Sequence, residues 1–266
     1  MSMKADYKNW MPKGMVAGFG IGAGVSLVLL IVFGLSPLLP SGGLKTGLTI
    51  VFSALTILFV FVTLWMFMMY RAFSYDGKRQ MSRQIIEGLA RYVNIPDGGV
   101  GLDVGCGSGA LTIACAKRNP KAAMVGVDRW GKEYASFNLL LCKKNAIAEG
   151  VSENTEFRKG DAVKLDFDDE SFDAVTSNYV YHNIPSSDRQ KILLESLRTL
   201  KKGGTFVIHD IMSKAKYGEM EAFAAKLRSM GYEKVELIDT TKGKFMTPFE
   251  AMWMGLSGSK ILIGKK

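Results

Sequence analysis

The sequence is poor in residues that bind transition metals or form disulfides. Among 266 residues there are only two histidines and three cysteines. The cysteines, Cys106, Cys115 and Cys142, are odd in number and form no CxxC pair, which argues against a disulfide framework and favours a reducing compartment. Because candidate ligands are so few, the sequence predicts no metal site.

Charged residues are missing from two long stretches near the N-terminus. Residues 14–44 and 46–70 contain no Asp, Glu, Lys or Arg, whereas about 20 apolar residues suffice to cross a bilayer. Thirteen Leu, Ile, Val and Phe residues between 48 and 69 favour insertion of the second stretch by about 4 to 8 kcal/mol. The sequence therefore predicts transmembrane helices at about residues 14–36 and 47–70, joined by a turn rich in Pro and Gly.

The basic residues around these spans predict the orientation of the hairpin. The net charge is +9, and basic residues cluster outside the two spans while the connecting turn holds only Lys45. By the positive-inside rule, both termini and the C-terminal domain then face the cytoplasm in a multi-pass protein of the cell membrane. A cleaved signal peptide would leave the second span unexplained. The flanking basic residues are Lys4, Lys8, Lys13, Arg71, Lys78, Arg79 and Arg83.

Small residues recur at every fourth position of the first span. Gly14, Gly18 and Gly22 form a face that lets another helix approach closely. That helix belongs either to the same hairpin or to a second copy of the chain, which would make a homo-oligomer.

The chain after the hairpin alternates between strand and helix patterns. We predict domains at 1–72, the transmembrane hairpin, and at 73–266. Alternation of this kind predicts an α/β fold with a Rossmann-like, doubly wound parallel sheet. We expect long helices over 131–148 and 217–230. The last two strands are connected by a loop without a convincing helix, so we expect them to be antiparallel.

A glycine-rich turn follows the first predicted strand in the segment VGLDVGCGSGALT. Gly105, Gly107 and Gly109 permit unusual backbone angles and close approach of a ligand to the main chain. The same residues also satisfy a dinucleotide-binding pattern, so the glycines alone do not choose a cofactor. Asp103, two residues before the first glycine, disfavours a pyrophosphate and favours a cationic ligand.

With Asp103 included, LDVGCGSG resembles the first motif of class I S-adenosylmethionine-dependent methyltransferases. The resemblance covers about residues 78–266 and is strongest over 100–210. It implies that Asp128 holds the ribose hydroxyls, that Trp130 flanks the adenine and that Asp161 accepts from its amino group. The full set that the resemblance implies for S-adenosylmethionine is Asp103, Gly105, Cys106, Gly107, Gly109, Asp128, Arg129, Trp130, Gly160, Asp161, Ala162 and Asn178.

Three residues are candidates for the chemistry of methyl transfer. His182 and Tyr179 follow the predicted fourth strand, and parallel strands carry ligands beyond their carboxyl ends. We hypothesise that His182 positions or deprotonates the acceptor, although a lone histidine beside aromatic residues is often structural. Tyr75, in the polar segment after the second span, is a candidate lid residue.

The acceptor is predicted to be a lipophilic small molecule. Strand four lacks the Asn/Asp-Pro-Pro-aromatic run of amino-directed nucleic-acid methyltransferases, which argues against a nucleic acid substrate. A membrane anchor raises the effective concentration of membrane-partitioned substrates, so a quinone-like phenol is favoured, followed by a thiol or an amine. The apolar insert at 244–256 offers an adaptable surface for such a molecule, or it covers the edge of the sheet.

Two other functions fit parts of the pattern. A non-catalytic S-adenosylmethionine-binding sensor or assembly factor in the membrane would keep the cofactor motifs without an acceptor site. An NAD(P)-dependent reductase would use the same topology, but it offers no reason for Asp103 or for the final antiparallel strand pair.

Overall fold

The computed structural model describes residues 4–131, 136–186 and 188–266 of the chain. Two compact units are formed. The first is Asn9–Gln80, and the second is Met81–Lys266 together with the N-terminal residues up to Lys8.

The first unit is a hairpin of two apolar helices. Helix α1 spans Lys13–Leu29 and continues as a π-helical segment, Leu30–Leu35, while helix α2 spans Gly43–Phe73. Both Lys13–Leu35 and Gly43–Phe73 are long and apolar enough to cross a membrane. Helix α2 extends beyond the predicted 47–70 at both ends, because no Pro interrupts it and it tolerates Gly43 and Gly47 in its first turns.

Polar and aromatic contacts join the two helices. The Thr56 hydroxyl donates to Ser26 Oγ over 3.1 Å, and the rings of Phe19 and Phe59 lie 6.3 Å apart. The closest approach is at Gly34, where an added Cβ would lie 2.9 Å from Thr49 Oγ1 and 3.2 Å from its Cα. Small residues and interhelical hydrogen bonds of this kind are typical of helix pairs in membranes.

The predicted glycine face contributes only in part to this contact. A Cβ at Gly22 would meet the Phe59 ring at 3.5 Å, but a Cβ at Gly14 or Gly18 would meet no atom of the described residues within 4 Å. Association of a second copy through Gly14 and Gly18 stays a prediction.

The second unit is built on a seven-stranded sheet of order β3-β2-β1-β4-β5-β7-β6. The first five strands are parallel, and β7 runs antiparallel to both β5 and β6. The predicted Rossmann-like α/β fold with a terminal antiparallel pair is confirmed. The strands are β1 Val100–Val104, β2 Ala123–Asp128, β3 Thr155–Lys159, β4 Phe172–Asn178, β5 Leu200–Ile211, β6 Glu233–Asp239 and β7 Ser259–Lys265.

Helices cover both faces of the sheet because strand side chains alternate between them. Leu102 and Val104 of β1 join the core formed with α6 and α8, whereas Asp103 between them meets Thr112 of α4 on the other face. Helix α4 contacts both α3 and α5. The helices are α3 Met81–Ala90, α4 Ala110–Arg118, α5 Leu139–Ala148, α6 Arg189–Arg198, α7 Lys214–Tyr217, α8 Met220–Ser229 and α9 Pro248–Trp253.

Three predicted helix assignments differ from the structure. Helix α5 begins at Leu139, where the Asn138 side chain accepts from Leu141 N and caps it; residues 132–135 of the predicted 131–148 lie outside the described residues. The predicted 217–230 helix starts earlier and is divided by Gly218, whose φ of 69° no helix allows. The predicted loop at 244–256 contains α9, which begins with a capping box between Thr247 and Glu250.

Gly34→Leu is expected to push the two hairpin helices apart, because the new side chain has no space beside Thr49. Ile21 and Phe61 are exposed, so both can be replaced by cysteines that carry spin labels. Electron paramagnetic resonance should then show a longer mean distance between the labels and a broader distance distribution. Gly24→Leu is the matched control, since a Cβ there meets no described atom within 4 Å. An unchanged distance in Gly34→Leu would contradict the observed packing.

Candidate active site

The glycine-rich loop between β1 and α4 is the centre of the candidate site. Gly105, Gly107 and Gly109 adopt φ values of 75°, 56° and 81°, a region that other residues rarely occupy. The N–H groups of Gly105 and Cys106 both donate to Val127 O of β2, at 2.8 and 3.0 Å. The loop is thereby fixed to the end of the neighbouring strand.

The end of β2 holds the middle of this loop. The Asp128 carboxylate accepts from Gly107 N over 2.9 Å and from Trp130 N over 2.7 Å. The Trp130 indole donates to Gly107 O over 2.8 Å, and its backbone is left-handed, with a φ of 45°. The two predicted cofactor residues therefore lie against the glycine loop, whereas Arg129 between them is exposed.

Asp103 lies beneath the loop rather than on its open side. Its carboxylate is only 1% exposed and accepts from the hydroxyls of Thr112 at 2.6 Å and Thr176 at 3.0 Å. Burial raises the pKa of Asp103 to about 6, although both hydroxyls lower it. Because the carboxylate is buried against these two hydroxyls, the structure shows no open face of Asp103, and its predicted effect on a cationic ligand stays a prediction.

Cys106 is a packing residue of the loop. The thiol is buried, and burial together with contact to Cys142 raises the pKa of Cys106 well above its usual value. Cys142 Sγ in turn lies 3.2 Å from Gly107 O, to which it donates. A thiol that resists ionisation is a poor nucleophile, so Cys106 has no covalent role.

The end of β3 lies beside Asp128. Gly160 N donates to Asp128 O over 3.0 Å, which places the Gly160 turn at the same edge of the sheet as the glycine loop. Asp161 is exposed, and its carboxylate accepts from Val163 N over 2.9 Å. Ala162 is half-buried. The three predicted residues thus flank the Asp128 side of the site, and their contact with adenine stays a prediction.

The N-terminal residues also contact this region, which the sequence did not predict. Asn145 of α5 accepts from Asp6 N over 2.8 Å and donates to the carbonyl oxygens of Asp6 and Ser108, both at 3.0 Å. Because Ser108 belongs to the glycine loop, the N-terminal segment and the loop share one buried side chain. Nothing in the local sequence marks Asn145 for this role.

The strand ends β4 and β5 form the other side of the site. Asn178 Oδ1 lies 2.8 Å from Nδ1 of His209, which donates to it, and Nε2 of His209 lies 3.0 Å from the Thr240 hydroxyl. Burial lowers the pKa of His209 to about 3. His209 is therefore a neutral, structural histidine, and Asn178 is turned toward it.

Tyr179 points away from a catalytic position. Its hydroxyl lies 2.9 Å from Ser259 Oγ of β7, and burial raises the pKa of Tyr179 above its usual value. The ring stacks near His209, with centroids 4.5 Å apart, and meets His182 edge-on at 6.0 Å. Tyr179 thus packs around the two histidines, and its part in the chemistry stays a prediction.

His182 and Asp210 form the site's only described histidine–carboxylate pair. His182 Nδ1 lies 2.5 Å from Asp210 Oδ1, and His182 N donates to Asp210 Oδ2 over 3.1 Å. Burial works to raise the pKa of Asp210, but the hydrogen bond and charge of His182, together with hydrogen bonds from Tyr217 and from Ile211 N, outweigh it and hold the pKa below the usual value. An ionised Asp210 fixes the proton of His182 on Nδ1, which leaves Nε2 as an acceptor.

Arg189 of α6 holds the turn that carries His182. Its guanidinium donates to the carbonyl oxygens of Tyr181, Ile184, Ser186 and Lys216, at 3.0 to 3.2 Å. A planar fork with five donors suits such a brace better than a lysine does. Neither Arg189 nor the His182–Asp210 pairing is visible in the sequence, where these residues are far apart.

One close contact joins the glycine loop to the turn after β4. A Cβ on Gly105 would lie 2.2 Å from Val180 Cγ2, and His182 follows two residues after Val180. The structure thus brings the predicted residues of the loop, of β2 and of β4 to one edge of the sheet. Tyr75 belongs to the Asn9–Gln80 unit, and its role as a lid stays a prediction.

Residues 102–208 match the family model described as a methyltransferase domain. This part of the chain is therefore a methyltransferase domain. A demethylmenaquinone methyltransferase of Bacillus subtilis is 32% identical to it over 134 residues, which cover 50% of this chain and 54% of that protein. Erythromycin 3''-O-methyltransferase of Saccharopolyspora erythraea is 26% identical over 206 residues, covering 67% of this chain and 64% of that protein. The chain spans about half the length of the curated relatives that it matches first.

Solved structures share the fold of the methyltransferase domain. The cyclase SpnF aligns with a TM-score of 0.54 and 18% identity, over 73% of this chain and 85% of that one. Geranyl diphosphate C-methyltransferase of Streptomyces coelicolor aligns with a TM-score of 0.52 and 14% identity, over 72% and 85%. A cyclase among these structures means that the fold alone does not determine the reaction.

Gly105→Ala is expected to destabilise the protein by about 1 to 3 kcal/mol more than Gly98→Ala. Both glycines have a φ of 75°, but a Cβ at Gly98 meets no described atom within 4 Å, whereas at Gly105 it collides with Val180. Chemical unfolding of the purified full chain measures the difference. Equal losses in the two variants would show that the loop and the β4 turn are not in contact.

Thr112→Val is expected to destabilise the protein more at about pH 8 than at about pH 5, by roughly 1 kcal/mol. Because folding raises the pKa of Asp103, the fold favours the protonated form of this carboxyl. The free energy of unfolding is therefore larger at low pH and falls as the pH rises through about 6. Losing the Thr112 hydroxyl makes the charged form still less stable. Thr112→Ser keeps the hydroxyl and should show no such pH dependence in urea unfolding; a pH-independent loss in Thr112→Val would contradict the assignment.

Proposed function

We propose that the protein is a membrane-anchored methyltransferase that transfers a methyl group from S-adenosylmethionine to a hydroxyl group of a lipophilic small molecule. The observation that carries this proposal is the His182–Asp210 pair, 2.5 Å apart, on the turn that packs against the glycine-rich loop. Such a pair is the arrangement by which a histidine becomes a general base.

The glycine loop and its neighbours suit a nucleoside cofactor that bears a positive charge. Among the described residues, a Cβ at Gly107 would meet only the Phe137 ring, at 3.7 Å, which leaves space beside this glycine. Asp128 at the end of β2 would hold the ribose hydroxyls, with Trp130 beside the adenine and Asp161 near its amino group. The Asp103 carboxylate next to this loop disfavours a pyrophosphate, which weakens the case for a reductase.

S-Adenosylmethionine supplies an activated methyl group when bound. The protein then has to orient the acceptor and remove its proton. His182 is 14% exposed at its side chain while Asp210 is fully buried, so the ring presents only its Nε2 edge to an incoming molecule. In this arrangement Nε2 accepts the hydroxyl proton, and Asp210 stabilises the imidazolium that results.

A hydroxyl acceptor fits this chemistry better than an amine does. Base catalysis contributes most when the acceptor is a hydroxyl or a thiol, because their protonated forms are poor nucleophiles at neutral pH. Among the relatives are proteins named for methylation of demethylmenaquinone and for 3''-O-methylation of erythromycin. A lipophilic small molecule agrees with both names, and a hydroxyl acceptor agrees with the second.

The two apolar helices support anchoring in a membrane. Their apolar side chains are largely exposed in the structure, for example Ile21, Ile57 and Phe61 at 66 to 71%. Exposed apolar surface of this extent marks contact with lipid or with other proteins. The basic residues outside the spans then place both termini and the methyltransferase domain on the cytoplasmic side.

His182→Ala is expected to reduce turnover by about 10² to 10⁴-fold at saturating cofactor. Asp210→Asn should also reduce it, because the amide no longer fixes the proton of His182 on Nδ1. The measurement is transfer of a labelled methyl group into lipophilic compounds of a membrane extract, resolved by mass spectrometry. Calorimetric binding of S-adenosylmethionine should be unchanged in both variants.

Three results would count against the proposal. An unchanged rate in His182→Ala removes the base from the mechanism. Cofactor binding without any methylated product in the extract favours the non-catalytic sensor or assembly factor. Preference of the purified protein for NADH over S-adenosylmethionine favours the reductase.

A further inference from the structure

The insert between β6 and β7 exposes two large apolar side chains. Phe249 and Met252, three residues apart on α9, are 68% and 66% exposed. Residues at this spacing lie on the same face of a helix. Five other apolar residues of the insert are buried and Trp253 is half-buried, so the exposed pair differs from the rest of the insert. The buried residues are Phe245, Met246, Ala251, Met254 and Leu256.

Contacts on both sides hold α9 in place. The Thr247 side chain accepts from Glu250 N at 3.2 Å, and Thr247 N donates to the Glu250 carboxylate at 2.8 Å. The preceding Phe245 packs against α3, where it fills the space beside Gly88, and its ring lies 5.6 Å from that of His209. Phe249 and Met252 are therefore presented by an ordered helix.

Two basic residues precede this apolar pair in the chain. Lys242 and Lys244, which directly precede the buried part of the insert, are both exposed. Lys242 Nζ lies 3.4 Å from Asp239, and Lys244 Nζ lies 5.1 Å from the Tyr92 ring centre. Apolar side chains flanked by lysines are typical of elements that lie in the interface of an anionic membrane.

We propose that α9 inserts Phe249 and Met252 into the interfacial layer of an anionic bilayer, with Lys242 and Lys244 at the lipid headgroups. This inference rests on the membrane anchoring proposed above, because a chain held at the bilayer by two apolar helices meets lipid at high effective concentration. Lipid is favoured over a second protein as the occupant, since the apolar pair is small and two exposed lysines precede it in the same insert.

This contact would bring the candidate site close to dissolved lipophilic molecules. The rings of Phe245, His209 and Tyr179 lie next to one another, and Tyr179 meets His182. An aromatic path thus connects the element that carries α9 with the proposed base.

The test uses the full chain reconstituted into vesicles of phosphatidylcholine and phosphatidylglycerol. Cysteines introduced one at a time at Phe249, Met252, Met230 and Ile57 are labelled with an environment-sensitive fluorophore, because the three native cysteines are buried. Lipids that carry a spin label quench only a fluorophore that touches the bilayer. Met230, which is 52% exposed at the end of α8, is the matched control.

We expect several-fold stronger quenching at Phe249 and Met252 than at Met230. Water-like emission without quenching at Phe249 overturns the proposal, and so does apolar emission that lipid does not quench, which would reveal a protein partner. Ile57 of α2 separates this failure from failure of the anchor. Quenching at Ile57 but not at Phe249 rejects only the α9 contact, whereas no quenching at Ile57 rejects the anchoring itself.

Discussion

The contact between Gly105 and Val180 is the constraint on which the candidate site depends. The main chain of the glycine loop approaches the Val180 side chain so closely that a single added Cβ would lie 2.2 Å from it. This approach is made by strands β1 and β4, which are parallel neighbours whose carboxyl ends meet at one edge of the sheet. It places a loop suited to a nucleoside within a few residues of His182.

The two histidines of the site differ in their burial and in their partners. His209 is fully buried without a carboxylate partner on its ring, and its pKa of about 3 keeps it neutral. His182 is paired with Asp210, whose pKa is held low by that pair. Two histidines at the ends of adjacent strands thereby acquire different functions, one in packing and one in proposed proton transfer.

Exposed apolar surfaces bear on the proposed acceptor. A hairpin that exposes apolar residues along its length, and a helix α9 that exposes Phe249 and Met252, are separate elements with similar surfaces. The shared fold does not identify the acceptor, because proteins with the same architecture include a cyclase and a methyltransferase of geranyl diphosphate. The acceptor class is therefore inferred from the residues of the site and from these apolar surfaces.

The elements that depend on local patterns of residues could be predicted from the sequence alone. The apolar spans, strand β1 with its glycine turn, the order of strands and helices and the final antiparallel pair follow from periodicity and from the conformational freedom of glycine. Helix α9 was missed, although Thr247, Pro248 and Glu250 carry the capping signal in plain sequence.

The pairing of distant side chains could not be predicted from the sequence and is seen only in the folded protein. It turned Tyr179 toward Ser259, placed Asp103 between two threonine hydroxyls, and joined His182 to Asp210 across 28 positions of the chain. A hydrogen bond depends on distances of a few tenths of an ångström between atoms. Such distances are set by the packing of whole strands and helices, and no local run of residues encodes them.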